Sequence, residues 1–489
     1  MKKSLQILIV LVFLCGISEA QTNVSGVIST NTTWDLAGSP YIVTADVTVA
    51  AYVRLTIAPG VAVKFEDGKQ LYVASYGIIR AIGTVTDSIT FTSNSNSPHI
   101  GSWYQIYALN TCPDSIFFNY CNFRYARIGL NYIANDRSYL KNSNFSNDSV
   151  GLETYSATYK FVDSCAFTNN NTGCYNDWTH LRNCTAINNL IGIEAIDGIE
   201  ENCVIKYNQT GIFINNNATL KNCVIDSNTN FGINKAWYNT GHDSILNCQI
   251  NHNMIGMNFS NAYVFISGCI FEYDSIGVYF YGTNLGVSCY IHYTQMKYDN
   301  IGLQIDNTLD TLMNSVFEND SIGIIFTLQA RGRYISCNKI CNNFTSDVYT
   351  TSFYYDNNMT NNYWCTTDTN LIHSRITGSQ SMIVYVSPVD SLQCYQSFTT
   401  TVNEISFNPP QISLYPNPTT GTFALSYHLS TPDVVLQLLD ISGRVVYKQS
   451  ISGSIGNEII DASALISGMY FWQLTSATET WQGKVFVEK

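Results

Sequence analysis

The chain has 489 residues, a net charge of −12, and only 12% charged residues against 45% hydrophobic ones. So few Lys, Glu and Arg cannot clothe long solvated helices, and no Lys or Arg run exists to neutralise nucleic-acid phosphates. The length exceeds one ordinary core, so an acidic, exposed protein of strands and turns, built in more than one unit, is expected.

The N-terminus reads as a secretory signal. Lys2 and Lys3 precede an apolar run from Leu5 to Leu14, and Ser18-Glu19-Ala20 supplies a small-x-small cleavage site. That run is too short to span a bilayer and no later stretch is long enough, so no transmembrane segment is expected. Leu14 before Cys15 does not suit a lipoprotein acylation site. Loss of residues 1–20 removes two Lys and Glu19, leaving a charge of −13.

Through the middle of the chain a Gly followed by an apolar residue recurs about every 22 residues. The positions are Gly129, Gly151, Gly173, Gly192, Gly211, Gly232, Gly256, Gly277, Gly302 and Gly323, and a fixed period in this range means a solenoid. Small residues sit eight before most of these glycines, among them Cys121, Ser143, Cys165, Cys184, Cys203, Cys248, Cys269, Thr294 and Ser315; Cys223 lies nine before Gly232. Six before comes a large apolar residue such as Phe123, Phe145, Phe167, Ile205 or Phe271, with Ala186 the exception. Two-residue spacing puts both columns on one side of a strand. Three before the Gly stands Asp148, Asn170, Asn189, Asn208, Asn253, Asp274, Asp299 or Asp320. This residue type suits a turn, where it bonds nearby backbone and tolerates the left-handed conformation. The Gly is expected to permit a bend.

About 22 residues per turn, short strands and no helical period fit one coil of a parallel β-helix, with identical side chains stacked coil upon coil. Leu-x-x-Leu-x-Leu is absent, and propeller blades need about twice the length. Residues 23–365 resemble the right-handed parallel β-helix, pectin-lyase-like family. Trp34, Pro40-Tyr41-Ile42-Val43, the run from Leu55 to Phe65, Ile89-Thr90-Phe91-Thr92-Ser93 and Gly101-Ser102-Trp103 resemble its opening coils. Asn361-Asn362-Tyr363-Trp364 resembles a closing coil, with Cys365 where the family usually has Gly.

Of fourteen cysteines left after signal cleavage, Cys121, Cys165, Cys184, Cys203, Cys223, Cys248 and Cys269 share one ladder. Stacked residues hold their Cβ atoms about 4.8 Å apart where a disulfide wants about 3.8 Å, so buried free thiols are expected. Cys337 with Cys341, and Cys365 with Cys394, are the disulfide candidates by spacing. No Cys or His pairs recur at zinc-ligand spacing.

The repeat stops in residues 366–411, a terminal coil and linker marked by Thr399-Thr400-Thr401 and Asn408-Pro409-Pro410. Residues 412–489 alternate in short strands, such as Phe423 to Tyr427 and Val434 to Leu439, which suggests a small β-sandwich. The fold class is therefore all-β, a right-handed parallel β-helix followed by a small C-terminal β-sandwich. The tail resembles the type A sorting domain of the type IX secretion system. The resemblance rests on Leu414-Tyr415-Pro416-Asn417-Pro418, Gly421, the run from Asp440 to Val446 that includes Gly443, Gly468-Met469-Tyr470, and Lys484 to Lys489. It implies export across the outer membrane through that machinery, to the cell surface or beyond.

Many β-helices act on polysaccharides, so catalytic patterns matter. Paired aspartates, Gly-His-Gly and Arg-Ile-Lys, which polygalacturonase-like enzymes carry, are absent. Glu194, Glu200 and Glu201 with Lys206 loosely resemble an alginate-lyase or chondroitinase order; their plainer reading is solvated outer residues. No cofactor is called for, and calcium is the one ion the carboxylates would suit. Two and four residues after each Gly, side chains should face outward. That sets Glu153, Tyr155, Tyr175, Asp177 and Glu194 on neighbouring coils, with Phe213, Tyr279 and Tyr281 further along and Trp178 and His180 close by. Rings stack on sugars and acids hold hydroxyls, so this is the expected glycan surface; Tyr also simply favours strands. A non-catalytic adhesin or glycan-binding rod is expected. A lyase or hydrolase acting on acidic glycans and a structural spacer are the alternatives.

Overall fold

The computed structural model describes residues 21–109, 116–133, 138–235, 241–260, 263–281, 289–306, 308–327, 330–351, 356–380, 384–389, 413–415, 419, 421–428, 434–440, 444–451, 455–475 and 480–487. Two compact units emerge, Met1–Val402 and Asn403–Lys489.

In the first unit the strands stack in parallel within one continuous 41-stranded ladder. Each regular coil contributes three strands. In one coil they are Ile191–Ile196, Ile199–Glu201 and Val204–Lys206. They pair in register with Thr210–Asn216, Thr219–Lys221 and Val224–Asp226 of the next coil. We call the three resulting stacks sheets I, II and III.

The corner from sheet II to sheet III has the same length in every regular coil, two residues: 142–143, 164–165, 183–184, 202–203, and so on to 337–338. Its first residue is left-handed, as in Asn142, Ser164, Asn183 and Asn202, and its second is the small buried ladder residue. Nine free thiols are buried among the described residues, the seven expected ladder cysteines plus Cys174 and Cys289. The corner from sheet III to sheet I also opens on a left-handed residue, Asn147, Asn169, Asn188 or Tyr207. The Asn/Asp column is therefore not the left-handed residue but the one after it. Its side chains turn inward. Asn189 Oδ1 accepts from the Asn170 backbone N–H at 2.9 Å, and Asn189 Nδ2 donates to the Phe167 carbonyl at 3.0 Å.

The ladder glycines need a different reason from the expected bend. None of them has a positive φ. A Cβ built on Gly192 would lie 2.5 Å from the Gly211 carbonyl oxygen of the next coil, so the coils stack too closely there for any side chain. Inside, rings stack coil on coil: Phe91 on Phe123 at 5.0 Å, Phe123 on Phe145 at 4.6 Å, Phe145 on Phe167 at 5.4 Å. Outside, Lys141, Asp163, Arg182, Glu201 and Lys221 are successive neighbours on sheet II. In-register stacking sets neighbours directly opposite, where like charges repel, so the sign alternates.

At the C-terminal end of this unit the disulfide joins Cys341 to Cys365, with Cα atoms 6.0 Å apart. This overturns both expected pairings, because Lys339 bridges to Tyr363 and so lays the closing coil beside the Cys341 turn. Cys337 is disulfide-bonded too, and Cys394 lies outside the described residues.

The second unit has a three-stranded antiparallel sheet, Ser413–Tyr415, Thr422–His428 and Ile455–Asp461. A four-stranded sheet orders Val445–Ile451, Val434–Leu439, Gly468–Thr475 and Thr480–Val487. Its core holds Phe423, Leu425, Leu436, Leu438, Leu474 and Val485, the inward half of each alternating strand.

Candidate functional site

Parallel in-register pairing turns sequence-distant residues into columns on the outer face of sheet I. Asn131 neighbours Glu153, Glu153 neighbours Tyr175, Tyr175 neighbours Glu194, and Glu194 neighbours Phe213. Tyr155 lies beside Asp177 in the next column. The five expected ligand-binding residues thus fall on three successive coils. Tyr155 donates to Glu153 Oε1 at 2.5 Å, Asn131 Nδ2 donates to Glu153 Oε2 at 3.1 Å, and the Tyr155 and Tyr175 rings lie 5.9 Å apart. Partial burial raises the carboxyl pKa of Asp177, helped by nearby Asp197, and burial likewise raises that of Glu194. Farther along, Tyr279 and Tyr281 pack at 5.3 Å, and Tyr279 donates to Asp306 at 2.8 Å.

The loose catalytic constellation comes apart. Glu194 is on the outer face of sheet I, while Lys206 is on sheet III and pairs with Asp226 at 2.9 Å. Glu201 faces out from sheet II and pairs with Lys221 at 3.2 Å. Glu200 is not a solvated residue at all. It points into the core between Leu181 and Leu220, accepts from Asn176 at 2.6 Å, and burial pushes its pKa up to about 8. Thr154 hydrogen-bonds Asn176 at 3.3 Å, completing a polar trio inside the solenoid. The signal for Glu200 was its place in a column that otherwise holds aliphatic residues, Leu140, Val162, Leu181, Leu220 and Ile245. His180 faces outward on sheet II, its Nε2 3.1 Å from Glu201, and Trp178 occupies a left-handed, exposed corner position. No group of three His, Cys, Asp or Glu side chains among the described residues could hold a metal ion.

Sequence reasoning missed Asp197. It accepts from Asn216 and Asn217 at 3.1 and 2.5 Å beside the same carboxylates. The pair Asp197-Gly198 was its turn signal. Reasoning from sequence also missed where the repeat length varies. Two residues, 197–198, separate the sheet I strand from the sheet II strand in one coil, but six lie between Phe231–Lys235 and His242–Leu246 and seven between Ile276–Tyr281 and Cys289–His292. The other two corners hold nearly constant in length.

In the second unit Gly468 opens its strand, and buried Tyr470 donates to the Ile466 carbonyl at 2.9 Å. Lys484 belongs to the strand Thr480–Val487. Pro416, Asn417, Pro418 and Gly443 lie outside the described residues.

Two family models match the chain. Residues 106–250 match the right handed beta helix region, and residues 413–488 match the secretion system C-terminal sorting domain. No curated protein matches. Among solved structures, a double mutant of the tailspike protein of E. coli bacteriophage HK620 is 11% identical, with a TM-score of 0.33, covering 90% of this chain and 86% of that one. A second mutant of the same tailspike is 12% identical, with a TM-score of 0.27, covering 90% and 85%. No helix among the described residues is long and apolar enough to cross a membrane. The chain is a right-handed parallel β-helix protein with a type IX secretion C-terminal sorting domain, exported to the cell surface or the medium.

Proposed function

We propose that the exported protein binds glycan without cleaving it, through the outer face of sheet I. The observation that carries this reading is the contact set of Glu153, Tyr155 and Tyr175, with Asp177 and Glu194 on the adjoining strands. Tyrosine rings offer faces to sugar rings and carboxylates accept from sugar hydroxyls. The carboxylates Glu153, Asp177, Glu194 and Asp197 would repel a polyanion, so a neutral glycan suits the face best. Separation of Glu194 from Lys206 on different sheets favours binding over turnover. The sorting domain supports a transient partnership with the secretion machinery.

The test is calorimetric titration of the exported chain with a panel of neutral oligosaccharides. Tyr175→Ala is expected to weaken binding about tenfold, the scale of one lost stacking contact. Unchanged affinity in Tyr175→Ala and Tyr155→Ala would remove the site from this face. Release of reducing ends would replace the binding reading with hydrolysis.

A further inference from the structure

The outer face of sheet II differs in chemistry from that of sheet I. Arg80 pairs in register with Phe117 of the next coil, and Phe117 with Tyr139 of the coil after. Leu140 pairs with Val162, which sets Tyr139 beside Phe161, and Phe161 pairs with His180. One column thus runs Arg80, Phe117, Tyr139, Phe161, His180 over five coils. The Arg80 guanidinium lies 4.8 Å from the Phe117 ring centre, the Lys141 ammonium 5.6 Å from that of Tyr139, and the Arg182 guanidinium 4.1 Å from that of Phe161. A cation laid on a ring is held in place and keeps its outer N–H groups free for an anion. Among the described residues neither Arg80 nor Lys141 is ion-paired. Asp163, the carboxylate inside the strip, is already satisfied by Arg182 at 3.0 Å and Asn183 at 3.0 Å; Glu201 at its end is held by Lys221.

We propose that this strip binds a linear acidic polysaccharide lying along the solenoid axis. Arg80 and Lys141 sit two coils apart, about 10 Å at the usual strand spacing, and Arg182, paired with Asp163, continues the strip two coils farther on. Such a spacing is on the scale of a disaccharide, so a polymer charged on alternate sugars can set successive charges on Arg80 and Lys141. Charge complementarity selects the occupant: these cations stand out on a chain of net charge −12. The chemistry recognised is a carboxylate or a sulfate on a sugar ring. This strip lies on a different sheet from Glu153 and Tyr175 and does not depend on that site.

The experiment is affinity electrophoresis of the exported chain through gels holding polygalacturonate, dextran sulfate or uncharged dextran. Retardation by an anionic polymer, weakening as salt is added, is the expected result. Retardation by polygalacturonate alone assigns the anion as a uronate, and by dextran sulfate alone as a sulfated sugar. The double variant Arg80→Ala with Lys141→Ala should bind about tenfold more weakly, two exposed charge contacts' worth, with its circular dichroism and Tm unchanged. Lys141→Glu should weaken binding further, and Tyr175→Ala should bind these polymers as the unmodified chain does. The proposal fails if neither anionic polymer retards the protein. It fails equally if folded double variant and folded Lys141→Glu migrate as the unmodified chain does, or if Tyr175→Ala alone abolishes retardation.

Discussion

Asp299→Asn should make the protein more stable, and increasingly so as pH rises. In the asparagine coils each buried side chain has two roles. Asn208 Oδ1 accepts from the Asn189 backbone N–H at 2.9 Å, and its Nδ2 donates to the Ala186 carbonyl at 2.9 Å. Asp274, Asp299 and Asp320 keep the first role: Asp299 Oδ1 accepts from the Asp274 N–H at 2.8 Å, and Asp320 Oδ1 from the Asp299 N–H at 2.9 Å. Their Oδ2 atoms are buried without a partner. A neutral acid can donate from that oxygen as an amide does; a carboxylate cannot. Burial accordingly pushes Asp299 up to about 8 and Asp320, which also feels Asp299, up to about 9, from an ordinary 3.8. Below pH 4 the acid is protonated both folded and unfolded, and its contribution is complete. Between pH 4 and 8 the unfolded chain releases the proton and the folded chain keeps it, so stability falls with rising pH. For Asp299 the ceiling of that loss is about 6 kcal/mol. Asn at 299 removes it. Urea unfolding followed by tryptophan fluorescence should place the variant within about 1 kcal/mol of the unmodified chain at pH 4. At pH 8 it should be about 2–5 kcal/mol more stable. A stability difference that does not change with pH, or a variant less stable at pH 8, would refute a neutral acid in the ladder.

Three further outcomes are expected. The nine buried thiols should ignore a water-soluble thiol reagent in the native protein and react in urea; rapid native reaction of several would show the ladder is open. Gly192→Ala should unfold the adjoining coils or cost several kcal/mol, since its Cβ would meet backbone 2.5 Å away; an unchanged unfolding midpoint would mean the coils can separate freely there. Phe145→Ala removes a ring stacked on both sides, and a loss of about 3–5 kcal/mol in chemical denaturation is expected; a loss under about 1 kcal/mol would mean the lumen collapses around the gap.

Much of this protein was legible in the sequence because the solenoid repeats a local rule. The Gly, Phe, Cys and Asn/Asp columns each mark a position whose environment recurs every coil, so period alone places them. Glu153, Tyr175 and Glu194 follow for the same reason: they stand two residues after a ladder Gly, and in-register pairing makes them neighbours. The sorting tail is likewise written in short motifs that need no tertiary context to read.

What the sequence left open depends on contacts between coils and on direction around the corner. Glu200 and Glu201 are adjacent in the chain, yet one is sealed in the core and the other pairs with Lys221 outside, because a strand alternates its faces. Glu194 and Lys206 are close in sequence but separated by two corners, which placed them on different sheets. The ladder glycines looked like bends and are close approaches, a distinction that only the next coil's carbonyl makes. Cys341 pairs with Cys365 rather than Cys337 because the closing coil lies one strand spacing away, a neighbour that chain separation does not reveal. Periodicity determined which residues share a column; the turning of three sheets around one core decided which columns face each other, which face water, and which charges remain free to meet a ligand.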